Sequence, residues 1–340
     1  NVAIPSKVVV GHNATITVTM GNVSSGKVLI EVDGHNYTVD IDSNKQAVLN
    51  VNLSAGNYPV KVYYLGDDKY NETNKTDVGS FDVVPKNVTV IEFEIIEVVE
   101  IDSTIVFNVT TNSSGLIVKV DGKEVTLNGN GFTVNTTNAG TYHITAETAE
   151  NEYHIAGFNE TTYTVIKHNS TVSIDPISVH HVDESFEINV TSNTTVVVTI
   201  DGKAYAVTGG KVTVGAKDLA AGEHTISAVV YESDKYNANS TNRTFSIIQY
   251  NASIESITVP TVKVLLDENA TIRVHMENVS SGKLLIEIGG HNYTVDIVGN
   301  DAVLNVTLAE DTYNATVYFL GDYKYNPTNK TSANFVVGER

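Results

Sequence analysis

The chain has no cysteine and no tryptophan, and only two methionines and six prolines among 340 residues. Without cysteine there are no disulfides, no thiol catalysis, no Cys-ligated zinc and no iron–sulfur chemistry. Positive charge is scarce too: 21 Lys and Arg face 40 Asp and Glu, a formal net charge of −19. Such a chain repels phosphate backbones and anionic headgroups, which excludes nucleic acid as a partner and membrane contact by this segment. No apolar run approaches the roughly 18–20 residues of a membrane-spanning helix. Helical periodicity of useful length is missing as well. What remains is rich in Asn, Thr, Val and Ile, a strand-forming composition. The first residues, Asn1-Val2-Ala3-Ile4, are neither an initiator Met nor a signal peptide, so a fragment of a longer secreted chain is expected.

One unit recurs four times. Residues 13–41 return at 269–297 with 23 of 29 positions identical. Two intervening copies share the same punctuation. A first marker joins alternating segments: Asp33-Gly34, Asp121-Gly122, Asp201-Gly202 and Gly289-Gly290. Two-residue hairpins need central residues that accept positive φ, which Asp-Gly and Gly-Gly do at low cost. A second marker reads Ala55-Gly56-Asn57-Tyr58, Ala139-Gly140-Thr141-Tyr142, Ala221-Gly222-Glu223-His224 and Glu310-Asp311-Thr312-Tyr313. Tyr58, Tyr142 and Tyr313 at these strand starts resemble a tyrosine corner, in which the hydroxyl ties back to the backbone. A third marker, Tyr64-Leu65-Gly66-Asp67-Asp68-Lys69-Tyr70-Asn71, returns as Phe319-Leu320-Gly321-Asp322-Tyr323-Lys324-Tyr325-Asn326, more weakly at 231–237, and as a trace at 149–153.

The expected fold is all-β: four tandem Ig-like antiparallel β-sandwich domains in an elongated array, at 1–85, 86–167, 168–249 and 250–340. In the first, strands A to G are expected at 7–10, 14–20, 27–33, 36–41, 46–52, 58–65 and 78–84. Each sandwich should be about 35–45 Å long, and four in line about 150 Å. The Tyr-x-Gly-Asp-x-x-Tyr loop before a last Phe-x-Val strand, together with the Ala-Gly-x-Tyr turn, resembles the bacterial-type Ig-like repeats of adhesin-like surface proteins of methanogenic archaea. That resemblance implies tandem stalks outside the cell with no enzymatic activity in the repeats themselves.

Sequons are far in excess. With 35 Asn and 62 Ser plus Thr, chance gives about six Asn-x-Ser/Thr triplets, and the chain has 23. Glycosylation of an exported surface protein is one reading. Strand alternation is the other, because residues i and i+2 share a face and Asn-Val-Thr turns two polar groups outward without any glycan. The candidate acceptors are Asn36, Asn71, Asn74, Asn87, Asn159, Asn242, Asn292 and Asn329.

Asp102, Asp183-Glu184 and Asp267-Glu268 precede the second strand of their repeats but lack the spacing that wraps a calcium ion. They are read as solvated or Lys-paired carboxylates. Adjacent His180 and His181 on an extended segment point to opposite faces and do not share an ion. No metal and no cofactor is expected. Glu92, Glu94, Glu97 and Glu100 read as the wet side of a strand, and nothing forms a nucleophile with its base. Lys7 and Lys263, first-strand positions for a Lys–Asn cross-link, lack an Asn–acid pair. At the joints, Asp183 and Glu184 are expected to approach the Asp322/Lys324 loop of the next repeat.

The expected function is a non-enzymatic extracellular stalk, on the cell surface or attached to the wall, that supports adhesion as a monomeric rod. The partner would be a cell-surface protein or glycan. One alternative is a ligand-binding module using exposed Tyr70, Tyr323 and Tyr325, and another is a filament subunit. The near-identity of the first and fourth repeats further suggests that a unit like 86–167 follows residue 340.

Overall fold

The computed structural model describes every residue from Asn1 to Arg340, and every regular element in it is a strand. The chain divides into two compact units, Asn1–Lys167 and His168–Arg340.

The first repeat has eight strands: β1 (Val2–Ala3), β2 (Lys7–Val9), β3 (Asn13–Thr19), β4 (Lys27–Val32), β5 (His35–Asp40), β6 (Gln46–Asn52), β7 (Gly56–Tyr64) and β8 (Thr73–Val84). They form two sheets, β1-β3-β6 and β2-β8-β7-β4-β5. All neighbours are antiparallel except β2 and β8. This is an immunoglobulin-like sandwich. The expected single first strand is in fact two, one on each sheet, with Pro5 between them. Pro has no N–H for a ladder, so the break falls where pairing is given up. The strand expected at 36–41 remains beside β4, because both central residues of the Asp33-Gly34 turn have positive φ (47° and 77°) and close a tight hairpin.

Period-two alternation builds the core. In β3, Ala14, Ile16 and Val18 are buried, while Thr15 and Thr17 face away and the Thr15 hydroxyl donates to Asn50 Oδ1 at 2.6 Å. Each repeat has its own buried cluster, spanning Val8 to Val83, Ile91 to Val165, Ile174 to Ile247 and Ala252 to Val337. Truncating a fully buried Ile such as Ile16 or Ile144 to Ala would cost roughly 2–5 kcal/mol.

The second and third repeats keep both sheets and the parallel contact of the split first strand with the last (Val98↔Thr164, His180↔Ile247). In the fourth, Gly299 and Asn300 make another positive-φ turn (58° and 74°) that pairs Val298 with Asp301, joining most of its strands into one seven-stranded sheet. The Asp of the hairpin marker is Gly289 here for a steric reason. A Cβ there would lie 2.7 Å from Tyr313 Cε1.

Candidate functional site: the joints between repeats

The loop joining the last two strands of a repeat, here the tip loop, has one geometry in all four copies. Asp67 Oδ1 accepts from the backbone N–H groups of Lys69 and Tyr70 (2.8 and 2.7 Å), and Asp67 N–H donates to Tyr70 O. Asn151 Oδ1 accepts from Tyr153 and His154, Ser233 Oγ from Tyr236, and Asp322 Oδ1 from Lys324 and Tyr325. The second copy therefore retains the whole turn, although only a trace showed in its sequence. Asn and Ser supply the same acceptor oxygen as Asp. The N–H groups of Lys69 and then Tyr70 hold the Asp67 carboxyl below the usual carboxylate range.

In the second, third and fourth repeats the tip loop also pairs in parallel with the segment that leads into its own repeat: Asn87 with His154, His168 with Tyr236, and Tyr250 with Tyr325. Asparagine adds a second tie. Asn112 Oδ1 accepts from Val90 N–H (2.9 Å) while its Nδ2 donates to Val88 O (3.1 Å). Asn193 grips Thr171 N–H and Asn169 O in the same way, and Asn278 grips Ser253 N–H and Asn251 O. Each leading segment is thus tied to the repeat that it enters.

Within each compact unit, the tip loop of the second member meets the turn between the second and third strands of the first. In the unit 1–167, the His12 ring lies 5.9 Å from the Tyr153 ring at 11°, with Nδ1 3.5 Å from Glu152 Oε1. In the unit 168–340 the joint is fuller. Lys324 Nζ is 2.8 Å from Asp183 Oδ2, and the Tyr323 hydroxyl donates to Val182 O at 2.6 Å. His181 stacks on Tyr250 at 4.0 Å and 9°, the Lys324 ammonium sits 5.2 Å over the Tyr250 ring, and Gln249 Nε2 donates to Asp322 O. Lys324 holds the Asp183 carboxyl below its ordinary range, and Asp183 in return raises Lys324. Asp183 thus meets the loop as the sequence suggested. Glu184 instead turns back, accepting from His181 N–H at 3.0 Å and reaching both His180 Nδ1 and His181 Nδ1 at 3.3 Å. The two rings diverge, His180 stacking on Phe186 and His181 on Tyr250, yet both address one carboxylate.

Of the tyrosines read as exposed ligand contacts, Tyr323 is exposed (45%) and the other two are not. Tyr70 and Tyr325 are half-buried against their own cores, where the tip-loop turn folds them, and Tyr323 spends its hydroxyl on Val182. No common aromatic platform results. The corner residues do what their spacing implied: Tyr58, Tyr142 and Tyr313 donate to the carbonyls of Ser54, Asn138 and Ala309, four residues back (2.8, 2.8 and 3.1 Å). His224 takes the same place in the third repeat, with Nε2 2.7 Å from Ala220 O and Nδ1 2.5 Å from Asp201 Oδ2. Gly34, Gly122, Gly202 and Gly290 all carry positive φ of 77–83° in their hairpins. All eight candidate acceptors, Asn36, Asn71, Asn74, Asn87, Asn159, Asn242, Asn292 and Asn329, are exposed, and Asn159 Nδ2 in addition donates to Ile91 O at 2.7 Å. Glu94 accepts from Asn108 Nδ2, and Lys263 Nζ donates to Glu339 O.

No family model matches the sequence, and no curated protein matches it. Solved structures resemble it distantly. Sidekick-1 immunoglobulin domains 1–5 share 13% identity over 98% of this chain and 78% of that one, with a TM-score of 0.28. A structure of a 1.5-MDa bacterial ice-binding adhesin shares 15% over 100% and 97%, at 0.27. The ICAM-5 D1–D4 ectodomain fragment shares 9% over 99% of each chain, at 0.28. Likenesses this low assign neither activity nor partner, and the immunoglobulin-like architecture stands on the strand order given above.

Proposed function

We propose that this chain is a non-enzymatic spacer from an extracellular, cell-surface adhesion protein, built as four immunoglobulin-like domains at 1–85, 86–167, 168–249 and 250–340. The observation that carries the reading is the filled joint of the unit 168–340, where Tyr323 and Lys324 occupy Val182 and Asp183. A chain that must hold a distal group away from a surface gains from joints closed by side chains. Tip loops engaged in this way are turned toward the neighbouring repeat, so recognition of a surface protein or glycan is assigned to other parts of the parent protein. An archaeal source, with a unit like 86–167 following, belongs to the same proposal. The test is small-angle scattering on the whole chain. A spacer has a maximum dimension near 150 Å, on the order of four sandwiches end to end; a compact globule refutes it. No helix of the chain is long and apolar enough to cross a membrane.

A further inference from the structure

The 23 sequons do not present equivalent asparagines, and the strand pairing separates them. Residues directly opposite on neighbouring strands share a face of the sheet. Asn74 lies opposite Tyr63, Asn242 opposite Ser227 and Asn329 opposite Tyr318, all on the solvent face of the larger sheet in their repeats. Asn36 and Asn292, opposite Glu31 and Glu287, join them from the adjoining hairpin strand. All five are exposed, as are the sequon threonines Thr38, Thr76, Thr244, Thr294 and Thr331. Asn112, Asn159, Asn193, Asn239 and Asn278 are exposed as well, so what sets these apart is the hydrogen bond that each Nδ2 makes to a backbone carbonyl.

Asn159 and Asn239 have the opposite parity. They lie across from Ala146 and Val230, which are 0% and 1% exposed, and their Nδ2 atoms donate inward to Ile91 O and Ser170 O, both at 2.7 Å. The three leading-segment ties, Asn112, Asn193 and Asn278, are sequons too. Their orientation is unambiguous, because a backbone N–H can only donate to Oδ1 and a backbone carbonyl can only accept from Nδ2.

We propose that ten of the sequons fall into two chemical classes. Asn36, Asn74, Asn242, Asn292 and Asn329 are acceptors of N-linked sugar on the outer face of the first, third and fourth repeats. Asn112, Asn159, Asn193, Asn239 and Asn278 are structural amides that stay unmodified in the folded protein. The proposal rests on the extracellular reading above. The reaction is transfer from a lipid-pyrophosphate-linked oligosaccharide. Nδ2 forms a bond to the anomeric carbon, the bond from that carbon to the pyrophosphate breaks, the lipid pyrophosphate leaves, and the amide gives up one proton. An amide nitrogen that carries a sugar retains one hydrogen but gains a bulky substituent. In the structural class that substituent would have to enter the gap closed by the Nδ2 hydrogen bond, so a modified copy cannot reach this fold. In the second repeat the corresponding face carries Ile117, Glu147 and Phe158, and its one sequon on that strand, Asn159, lies opposite Ala146 with its Nδ2 tied to Ile91 O.

The whole chain, given a secretion leader and expressed in a host with its own lipid-linked oligosaccharide, would be purified as folded monomer. Enzymatic deglycosylation in heavy-oxygen water, followed by peptide mass spectrometry, then maps each site. Sugar on most of the five outer asparagines and on none of the five structural ones is the expected result. Sugar on any structural asparagine in the folded fraction, or bare amides at most outer sites, overturns the proposal. The leader decides export here, so this outcome is separate from the native location, which is read by antibody labelling of intact cells that make the protein. A second measurement needs no sugar. Asn193→Asp keeps the acceptor but loses the donor to Asn169 O, and should lower the melting temperature of the third repeat by about 4–8 °C, the shift for one lost hydrogen bond in a domain of this size. Asn242→Asp should leave it unchanged. Equal melting of the two variants refutes the structural class.

Discussion

Tyr142 and Tyr163 stack in the core of the second repeat, ring centroids 5.1 Å apart at 13°, and their hydroxyls have opposite fates. Tyr142 donates to Asn138 O at 2.8 Å. Tyr163 is 1% exposed and its hydroxyl has no hydrogen-bond partner. Replacing each by Phe keeps the stacking and deletes one oxygen. Tyr142→Phe loses a made hydrogen bond and should destabilise the repeat by about 0.5–1.5 kcal/mol. Tyr163→Phe removes a buried polar atom whose desolvation costs roughly 1–3 kcal/mol, so it should leave stability unchanged or raise it. In a repeat of this size each kcal/mol moves the melting temperature by about 4–8 °C. Hydrogen exchange read on peptides of 86–167, together with calorimetry of the whole chain, localises the effect. Alkaline titration gives an independent check. Burial above all, then Tyr142 and Asp121, pushes the Tyr163 hydroxyl up from 10.0 to about 12. The unfolded chain ionises this group first, so its contribution is full below pH 10.0 and is lost as pH rises toward about 12. Tyr163→Phe should flatten that loss. If Tyr163→Phe destabilised the repeat as much as Tyr142→Phe does, the opposed roles would be refuted.

The third repeat should be most stable in weak acid. The His224 nitrogens face a carbonyl and a carboxylate; burial opposes protonation of the ring, but the bonds to Asp201 and Ala220 outweigh it and raise the pKa above 6.5. Asp201 is lowered below 3.8, chiefly by His224. The histidine contribution is full below pH 6.5 and lost as pH rises through the raised value, while that of Asp201 is full above 3.8 and lost as pH falls through the lowered one. Melting of this repeat across pH 4–8 should therefore peak on the acid side in wild type, and His224→Tyr, which restores the corner of the other repeats, should flatten the profile; a flat wild-type profile contradicts the assignment. In the fourth repeat, Gly289→Asp recreates the marker of the other copies but drives Cβ into the Tyr313 ring, and should cost about 1–3 kcal/mol in urea unfolding. An unchanged midpoint would show that the ring yields freely.

What the sequence determined by itself is local. Asp-Gly and Gly-Gly pairs enforce positive φ at adjacent residues, Thr-Ile-Thr-Val alternation sets which face is dry, and a tyrosine four residues past a turn carbonyl reaches back to it. Such features need only neighbouring residues, so the hairpins and the three tyrosine corners could be read directly. Tertiary structure decided everything that depends on which face or which distant strand a residue meets. Asn159 and Asn242 sit in equally plain sequons and both are exposed, yet the register sets the first opposite Ala146 with its Nδ2 on Ile91 O and the second opposite Ser227. His224 took over a tyrosine's task because Asp201, 23 positions away, supplies a counter-charge. Tyr323 looked like a free aromatic until the fold brought Val182, 141 positions earlier, under its hydroxyl. Pairings at that range are fixed by how whole sandwiches abut, and no local pattern of residues encodes them.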